Sequence, residues 1–472
     1  MIKSLNIKDI TSKENLSLLV LSVGLSLPAI LLGENILLAL PVVLIVMFSF
    51  IFGERFIYGF IIVTLFTLVG DFSGPFRIYV QLTDFILLGI LFLKRYGFGW
   101  TTYPRIPNSL NYFLIAYYFA MITSALMSRF PSAAVPLIIQ QSIFFIILYL
   151  FYSLIRDEKD VSVYIISILI SSIILTASSI TVFIQGGLEL SNLTTSVGRI
   201  SGLIANVNAL TNFYIISFPL VIVSFFIKGK YLDKKLSLLL IIYFLAGLLV
   251  TISRTAVLGV MISTAFLLFM LRKKYFYYLL TALIILFAFL FLYQPLNEFV
   301  TLLLRVEEGM SNRDYLWTLS LNIISDHPVF GIGAGSYKYE MFNYFPVMLD
   351  SWPGQVIINI REMTSGANIS HNFFLRSYTD LGILGLLSAL LIPVIYIRIG
   401  IKTIQYYRKG NKKTYYILLA LFISGATMFL RSAVDDIGIL TYGWIAADLP
   451  FWLIFSCIVY YYKNIGNSMT ML

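Results

Sequence analysis

The chain reads as a series of long apolar runs separated by short polar breaks. The runs lie near 16–33, 35–52, 56–70, 78–93, 109–127, 135–155, 161–184, 209–227, 236–252, 255–271, 277–294, 381–398, 414–431 and 446–462. A helix needs about 20 residues to cross a hydrocarbon core of about 30 Å, and most of these runs reach that length. Strands of an outer-membrane barrel would alternate apolar and polar positions instead. The pattern therefore predicts an all-α, polytopic transmembrane helical bundle. The first two runs share only the Gly33-Glu34-Asn35 turn, and the ninth and tenth only Ser253-Arg254. Such pairs read as hairpins or as single elements, which gives about 12–14 spans. One stretch breaks the rhythm. Residues 295–380 are too polar to span and far longer than any other connection. Loops of that length carry function or fold locally. The chain thus divides into 1–294, with about 11 spans, a long loop at 295–380 containing short helices, and 381–472, with about three spans.

Composition sharpens the class. Hydrophobic residues make up 59% of the 472 and charged residues 12%, about half the charge of a soluble domain. A soluble enzyme and a disordered chain are both excluded. The formal net charge of +10 would point to nucleic acid in a soluble protein. In a membrane protein it points to cytoplasmic loops, so no nucleic-acid partner is expected. The single cysteine, Cys457, lies in an apolar run and reads as an inert buried thiol; Cys-based metal sites are excluded. Lys3, Lys8 and Lys13 precede the first run, and a second run follows at once, which reads as a retained first span rather than a cleaved signal.

Charge also orients the spans. With the N-terminus inside, the inner loops collect most of the 33 Lys and Arg. The ten left outside are Arg77, Arg129, Arg199, Arg254, Arg305, Arg313, Lys338, Arg361, Arg376 and Arg431. This asymmetry places both termini in the cytoplasm and the long loop outside. Nine of the ten outward cations are arginines, whose planar fork binds phosphate bidentately. Each could instead snorkel or pair with an outer carboxylate. Arg254 stands out, because it sits in TISRTAVLGV between two apolar runs with almost no loop. A charge there is costly unless it is paired or lines a polar cavity.

The chain has two histidines, His327 and His371, both in the long loop. Histidine titrates near neutrality and suits general-base work. His327 precedes Pro328 in a turn-rich stretch and reads as a helix-end residue. His371, at the mouth of a span, reads as functional. Two histidines are too few for a protein-built zinc site, so no metal is assigned. Gly331 to Gly335, GIGAG, lacks the Lys-Ser/Thr of a nucleotide loop and reads as a structural turn. Ser311 to His327 carries apolar residues at helical spacing, with Asp314 near its start. Tyr337, Tyr339, Phe342, Tyr344 and Phe345 form an aromatic cluster that reads first as an interfacial belt. Span interiors are almost free of charge, Asp84 and Asp448 being exceptions near span ends.

Four stretches together resemble the O-antigen ligase and O-antigen polymerase superfamily of bacterial membrane proteins. They are Arg199-Ile-Ser-Gly202 with Asn206-Val-Asn208; Ser253-Arg254-Thr255; Arg313-Asp-Tyr-Leu-Trp317 with His327-Pro328 and Gly331-Ile-Gly333; and His371-Asn372 with Gly382 and Gly385. They cover roughly residues 199–385, in the family's order. The resemblance implies transfer of a glycan from an undecaprenyl-diphosphate-type lipid to a sugar hydroxyl, outside the bacterial cytoplasmic (inner) membrane. It implies a glycan or lipid-A-core acceptor, membrane lipid around the protein, and no cofactor or metal. By position, Arg254 and Arg313 match diphosphate-binding arginines and His371 the catalytic histidine. Arg199, Asn206, Asn208, Ser253, Trp317 and Asn372 fall in the same motifs and are expected to contact substrate. The motifs do not separate ligase from polymerase.

The chemistry of these residues agrees. A lipid diphosphate is already a good leaving group, so the enzyme needs a base for the acceptor hydroxyl and positive charge for the departing diphosphate. His371 can supply the first, Arg254 and Arg313 the second. Back-side attack would invert the anomeric carbon. A flippase for a lipid-linked saccharide would also use outward arginines. It would need no histidine beside them, and would want polar residues along many span interiors.

Overall fold

The computed structural model describes residues 53–68, 75–97, 103–186, 200, 202–204, 206–227, 233–293, 313–344 and 370–469. The runs expected at 16–33 and 35–52 lie outside these residues. The described part folds into fourteen helices and contains no strand. They are α1 (Glu54–Thr67), α2 (Pro75–Tyr96), α3 (Asn108–Met127), α4 (Pro131–Leu154), α5 (Glu158–Gln185), α6 (Val207–Ser224) and α7 (Lys234–Thr251). The others are α8 (Arg254–Leu271), α9 (Lys273–Leu292), α10 (Arg313–Asp326), α11 (Tyr337–Tyr344), α12 (Phe373–Arg408), α13 (Lys412–Ser432) and α14 (Ile445–Met469).

Nine of the described helices, α3 to α8 and α12 to α14, combine the length and apolarity needed to cross a membrane. The protein is an all-α polytopic membrane protein. The run expected at 56–70 forms α1, which has 14 residues. At 1.5 Å per residue it reaches only about 21 Å. The tight connection at Ser253-Arg254 is a real hairpin. Only Ile252 and Ser253 separate α7 from α8, because Ile252 takes a left-handed conformation, φ 45°, and turns the chain.

Helix starts follow the sequence. Asp157, Asn206, Asp233, Ser253, Asn372 and Asn411 each accept a backbone N–H of the helix they precede, satisfying donors that have no intrahelical partner. Packing follows from small residues, since lipid tails give no hydrophobic drive for helix association. α6 is the hub. All of its residues are buried, and it packs against α5, α7, α8, α13 and α14. Ser217 Oγ lies 2.7 Å from Ser172 Oγ of α5. Gly247 of α7 leaves room for Tyr214, and Gly259 of α8 for Ile215.

α12 is broken near its start. Gly382 has φ 67° and ψ −162° inside the helix. The segment after α10 fills the break. Ile332 N–H donates to Thr379 O (3.0 Å), Gly333 N–H to Asp380 O (2.8 Å), and Ile383 N–H to Pro328 O (3.0 Å). Ser128 Oγ, just past α3, donates to Ile332 O (2.6 Å), and Ser124 Oγ of α3 donates to Asp380 O (2.5 Å). Irregular backbone among membrane helices is tolerated where protein satisfies it. Gly331, Gly333 and Gly335 all have positive φ, so GIGAG is a turn that plugs a helix break, as its composition indicated. A Cβ on Gly382 would meet the Val329 carbonyl. The conspicuous glycines are therefore architectural.

Asp84, expected near a span end, is instead the tenth residue of the 22-residue α2. It is 1% exposed and accepts Thr64 Oγ1 of α1 at 2.7 Å.

Candidate functional site

Three of the sequence motifs turn out to be helix starts. Asn206 Oδ1 accepts Asn208 N–H (2.7 Å) at the head of α6. Ser253 Oγ accepts Ala256 N–H (3.4 Å) at the head of α8. Asn372 Oδ1 accepts Leu375 N–H (3.0 Å) at the head of α12. Each motif therefore couples a cap to a neighbouring side chain. Arg254 is the first residue of α8, Asn208 the second of α6, and His371 directly precedes the α12 cap. His371 itself has φ 50°, a left-handed conformation uncommon outside glycine. Helix N-termini carry partial positive charge and unpaired N–H groups, the makings of an anion site.

The segment after α13 ties these starts together. Arg431, at the end of α13, donates Nη2 to Asn208 O (2.9 Å) and to Asp435 Oδ2 (2.7 Å), and Nη1 to Asn212 Oδ1. Asn372 Nδ2 donates to Ala433 O (2.7 Å). Arg376, one turn into α12, donates Nη1 to Asp436 Oδ2 (2.9 Å) and Nη2 to Leu440 O. His371 Nδ1 stands 3.8 Å from Asp436 Oδ1. Arg376, Arg431, Asp435 and Asp436 are each 5% exposed or less. Polar atoms here are left over, however. His371 Nδ1, Asp436 Oδ1 and Arg431 Nε are buried with no hydrogen-bond partner. Groups left in that state are expensive.

α10 supplies the remaining pieces and packs on α12 and α11. Arg313 is its first residue, and Trp317 lies one turn on, on the same face. Burial pulls the Arg313 guanidinium below its ordinary pKa. Asp435 works against this, Arg431 and Arg254 add to it, and Asp436 offsets it in part. Arg313, Arg254 and Arg431 thus share one electrostatic environment with the two carboxylates. Trp317 Nε1 is buried without a partner.

The structure brings together Arg254, Arg313, His371, Asn208 and Asn372 around residues 431–436. Ser253 and Asn206 serve there as caps. Arg199 lies outside the described residues, as do Arg305 and Arg361. His327 sits past the end of α10, where its carbonyl accepts Gly331 N–H (3.1 Å), so it belongs to the plug. Arg129 pairs with Glu340 at 3.7 Å, the structural role open to any outward arginine. Tyr337 is buried, its hydroxyl donating to Leu316 O (3.2 Å), and it offers no platform to a sugar. Sequence reasoning missed Asp435 and Asp436. The signal was Arg431-Ser-Ala-Val-Asp435-Asp436, three charges at the end of an apolar run, where charge is costly unless used.

His371, Asp435 and Asp436 each offer a ligand atom within 4.8 Å of one another, so a cation was weighed. The carboxylates already hold Arg431 and Arg376 at ion-pair distance. Arg254 and Arg313 act on the same space. Among the described residues, both carboxylates of that trio are therefore already engaged by guanidinium groups.

Fold and site together define a multi-pass membrane protein with a polar centre of arginine, histidine and aspartate at one end of its bundle. Residues 239–390 match the family described as O-antigen ligase. The match runs from α7 to the middle of α12 and takes in Ser253, Arg254, Arg313, Trp317, His371 and Asn372. It supports the O-antigen ligase and polymerase superfamily, and with it a glycan-transfer role in surface-polysaccharide assembly. No curated protein matches the chain.

Proposed function

We propose that the protein transfers a glycan from an undecaprenyl-diphosphate-type carrier to a sugar hydroxyl on the extracytoplasmic side of the bacterial cytoplasmic membrane. The observation that carries this reading is the gathering of Arg254, Arg313 and His371 around Asp435 and Asp436. The acceptor oxygen attacks the anomeric carbon, the bond from that carbon to the diphosphate oxygen breaks, and the hydroxyl proton passes to His371. Asp436 Oδ1, 3.8 Å from Nδ1, favours a proton on that nitrogen and leaves Nε2 to serve as the base. Arg254 and Arg313, with the heads of α6 and α8, take up the charge on the leaving diphosphate. Trp317 Nε1 is a spare donor for substrate, Asn206, Asn208, Ser253 and Asn372 border the same space, and Arg199 is assigned to substrate by its motif alone. Guanidinium groups here fill the part a divalent cation would play, so the reaction is read as metal-independent. Both termini then lie in the cytoplasm.

A reconstituted assay tests this and separates the acceptors. Purified protein receives one lipid-diphosphate-linked repeat unit, with and without a lipid-A-core acceptor. A ladder from donor alone marks a polymerase. A single shifted band that requires the core lipid marks a ligase. Movement of donor across the bilayer with no product would assign the protein to lipid-linked saccharide transport instead.

A further inference from the structure

The opposite end of the bundle carries a second feature that glycan transfer does not use. α12 runs 26 residues beyond Gly382 to Arg408, about 39 Å at the helical rise, so this end lies a full membrane thickness from His371. Here an apolar groove of about 370 Å³ opens between α3, α4 and α14, within the size range of ligand sites. Phe113, Phe145, Tyr149, Tyr152, Trp452 and Val459 line it. Its outer wall includes Ile146, which is 60% exposed, so the groove opens sideways. Beside it lies a larger basic recess of about 1200 Å³, lined by Lys402 and Arg408 of α12, Lys409 just past its end and Lys463 of α14, with no carboxylate in its wall among the described residues.

The two cavities meet at Lys463. Trp452, Phe455, Val459 and Lys463 fall on one stripe of α14, so the residue that follows the groove's last side chain is the cation of the recess. Lys463 Nζ sits 5.7 Å from the Tyr152 ring of the groove and donates to Arg105 O (2.8 Å). An apolar slot alone would select nothing, because any lipid tail fills it equally well. A slot that ends under a cluster of Lys and Arg selects a tail joined to an anionic head.

We propose that this end binds one anionic phospholipid of the surrounding leaflet, an acyl chain lying in the α3–α4–α14 groove and the head-group phosphate at Lys463. The basic recess holds the rest of the head group. The charge, the sideways opening and the continuity at Lys463 each fit a membrane phospholipid.

Photochemical labelling of the full-length protein in nanodiscs tests it. Ile146→p-benzoylphenylalanine places the probe on the groove wall, and dioleoylphosphatidylglycerol competes with dioleoylphosphatidylcholine. The expected result is a phosphatidylglycerol adduct favoured about fivefold, with Lys463→Ala removing most of that preference. Ser456→Phe, which fills the groove from α14, abolishes the adduct in protein that still elutes as wild type. The same probe at Ile242, exposed on α7, shows no preference. Equal labelling by the two lipids at position 146, or a preference that survives Lys463→Ala, would overturn the proposal. So would displacement by equimolar undecaprenyl phosphate but not by excess phosphatidylglycerol, which would assign the groove to a polyprenyl lipid.

Discussion

Two clusters of arginine and aspartate sit at opposite ends of the same bundle, built from the same residue types to different purposes. At the end away from His371, Asp160 of α5 is 0% exposed and saturated. Arg55 Nε reaches Oδ1 at 2.6 Å, Arg156 Nε reaches Oδ2 at 3.1 Å, and the Tyr58 hydroxyl donates to the same carboxylate. Arg55 also holds Asp157 at 2.5 Å, and Arg156 holds Glu54 at 3.3 Å. These contacts pin α1 to α5. At the His371 end, among the described residues, buried atoms of His371, Asp436 and Arg431 are left without a hydrogen-bond partner. A saturated cluster is a fastening. An unsaturated one, with its cost met by the packing around it, is what the proposed reaction asks of a substrate site.

Mutations at each end should break this comparison in different ways. The largest effect belongs to His371→Ala, which should lower turnover by about 10²- to 10⁴-fold, the usual worth of a general base. Donor binding, followed by retention of labelled lipid diphosphate, should hardly change. Arg313→Ala and Arg254→Ala should each cost about 10²- to 10³-fold, as loss of one group that stabilises developing charge does. Lysine at either position should restore only part of it, since an ammonium lacks the bidentate fork. Steady-state kinetics on the paired variants checks both statements.

Asp160→Asn should do the reverse. Removing one partner of a buried ion pair costs about 3 kcal/mol or more, read as a lower thermal midpoint in detergent, while turnover of the folded fraction stays near wild type. Gly382→Ala mixes the two outcomes. A side chain at positive φ against the Val329 carbonyl should destabilise by about 2 kcal/mol or more and loosen the plug between α10 and α12, lowering both midpoint and turnover. The smallest effect is expected from a chelator. EDTA should leave transfer unchanged, because the proposed reaction draws its positive charge from Arg254 and Arg313; a chelator-sensitive enzyme restored by a divalent ion would assign His371, Asp435 and Asp436 to a metal.

What could be read in advance follows from what is local. Apolar runs give helices, and the caps Asn206, Ser253 and Asn372 lie within the motifs that drew attention to them. The end of α10 before Pro328 was also legible, because the local rules there agree with the fold. The 56–70 run is short for a span in sequence as well as in structure, where Gly53 and Leu68 close α1 at 14 residues. The meaning of the glycines in 331–335 and at 382 was only half visible. Composition gives a turn, but that the turn repairs a helix break fifty residues later in the chain is a tertiary fact. Asp435 and Asp436 were overlooked for the same reason. Nothing within a few residues of them reveals that α12 brings Arg376 and His371 alongside. Outward arginines could be counted from sequence, but only packing separates Arg376 and Arg431, which are paired with Asp436 and Asp435, from Arg313, whose guanidinium burial pulls below its ordinary pKa.

The most direct test of the central claim compares wild type with His371→Ala on a single purified lipid-diphosphate-linked repeat unit and its acceptor, measuring donor retention and product in the same samples. The account predicts equal retention of donor by both proteins and product from wild type alone. Product formed by His371→Ala at the wild-type rate would contradict it.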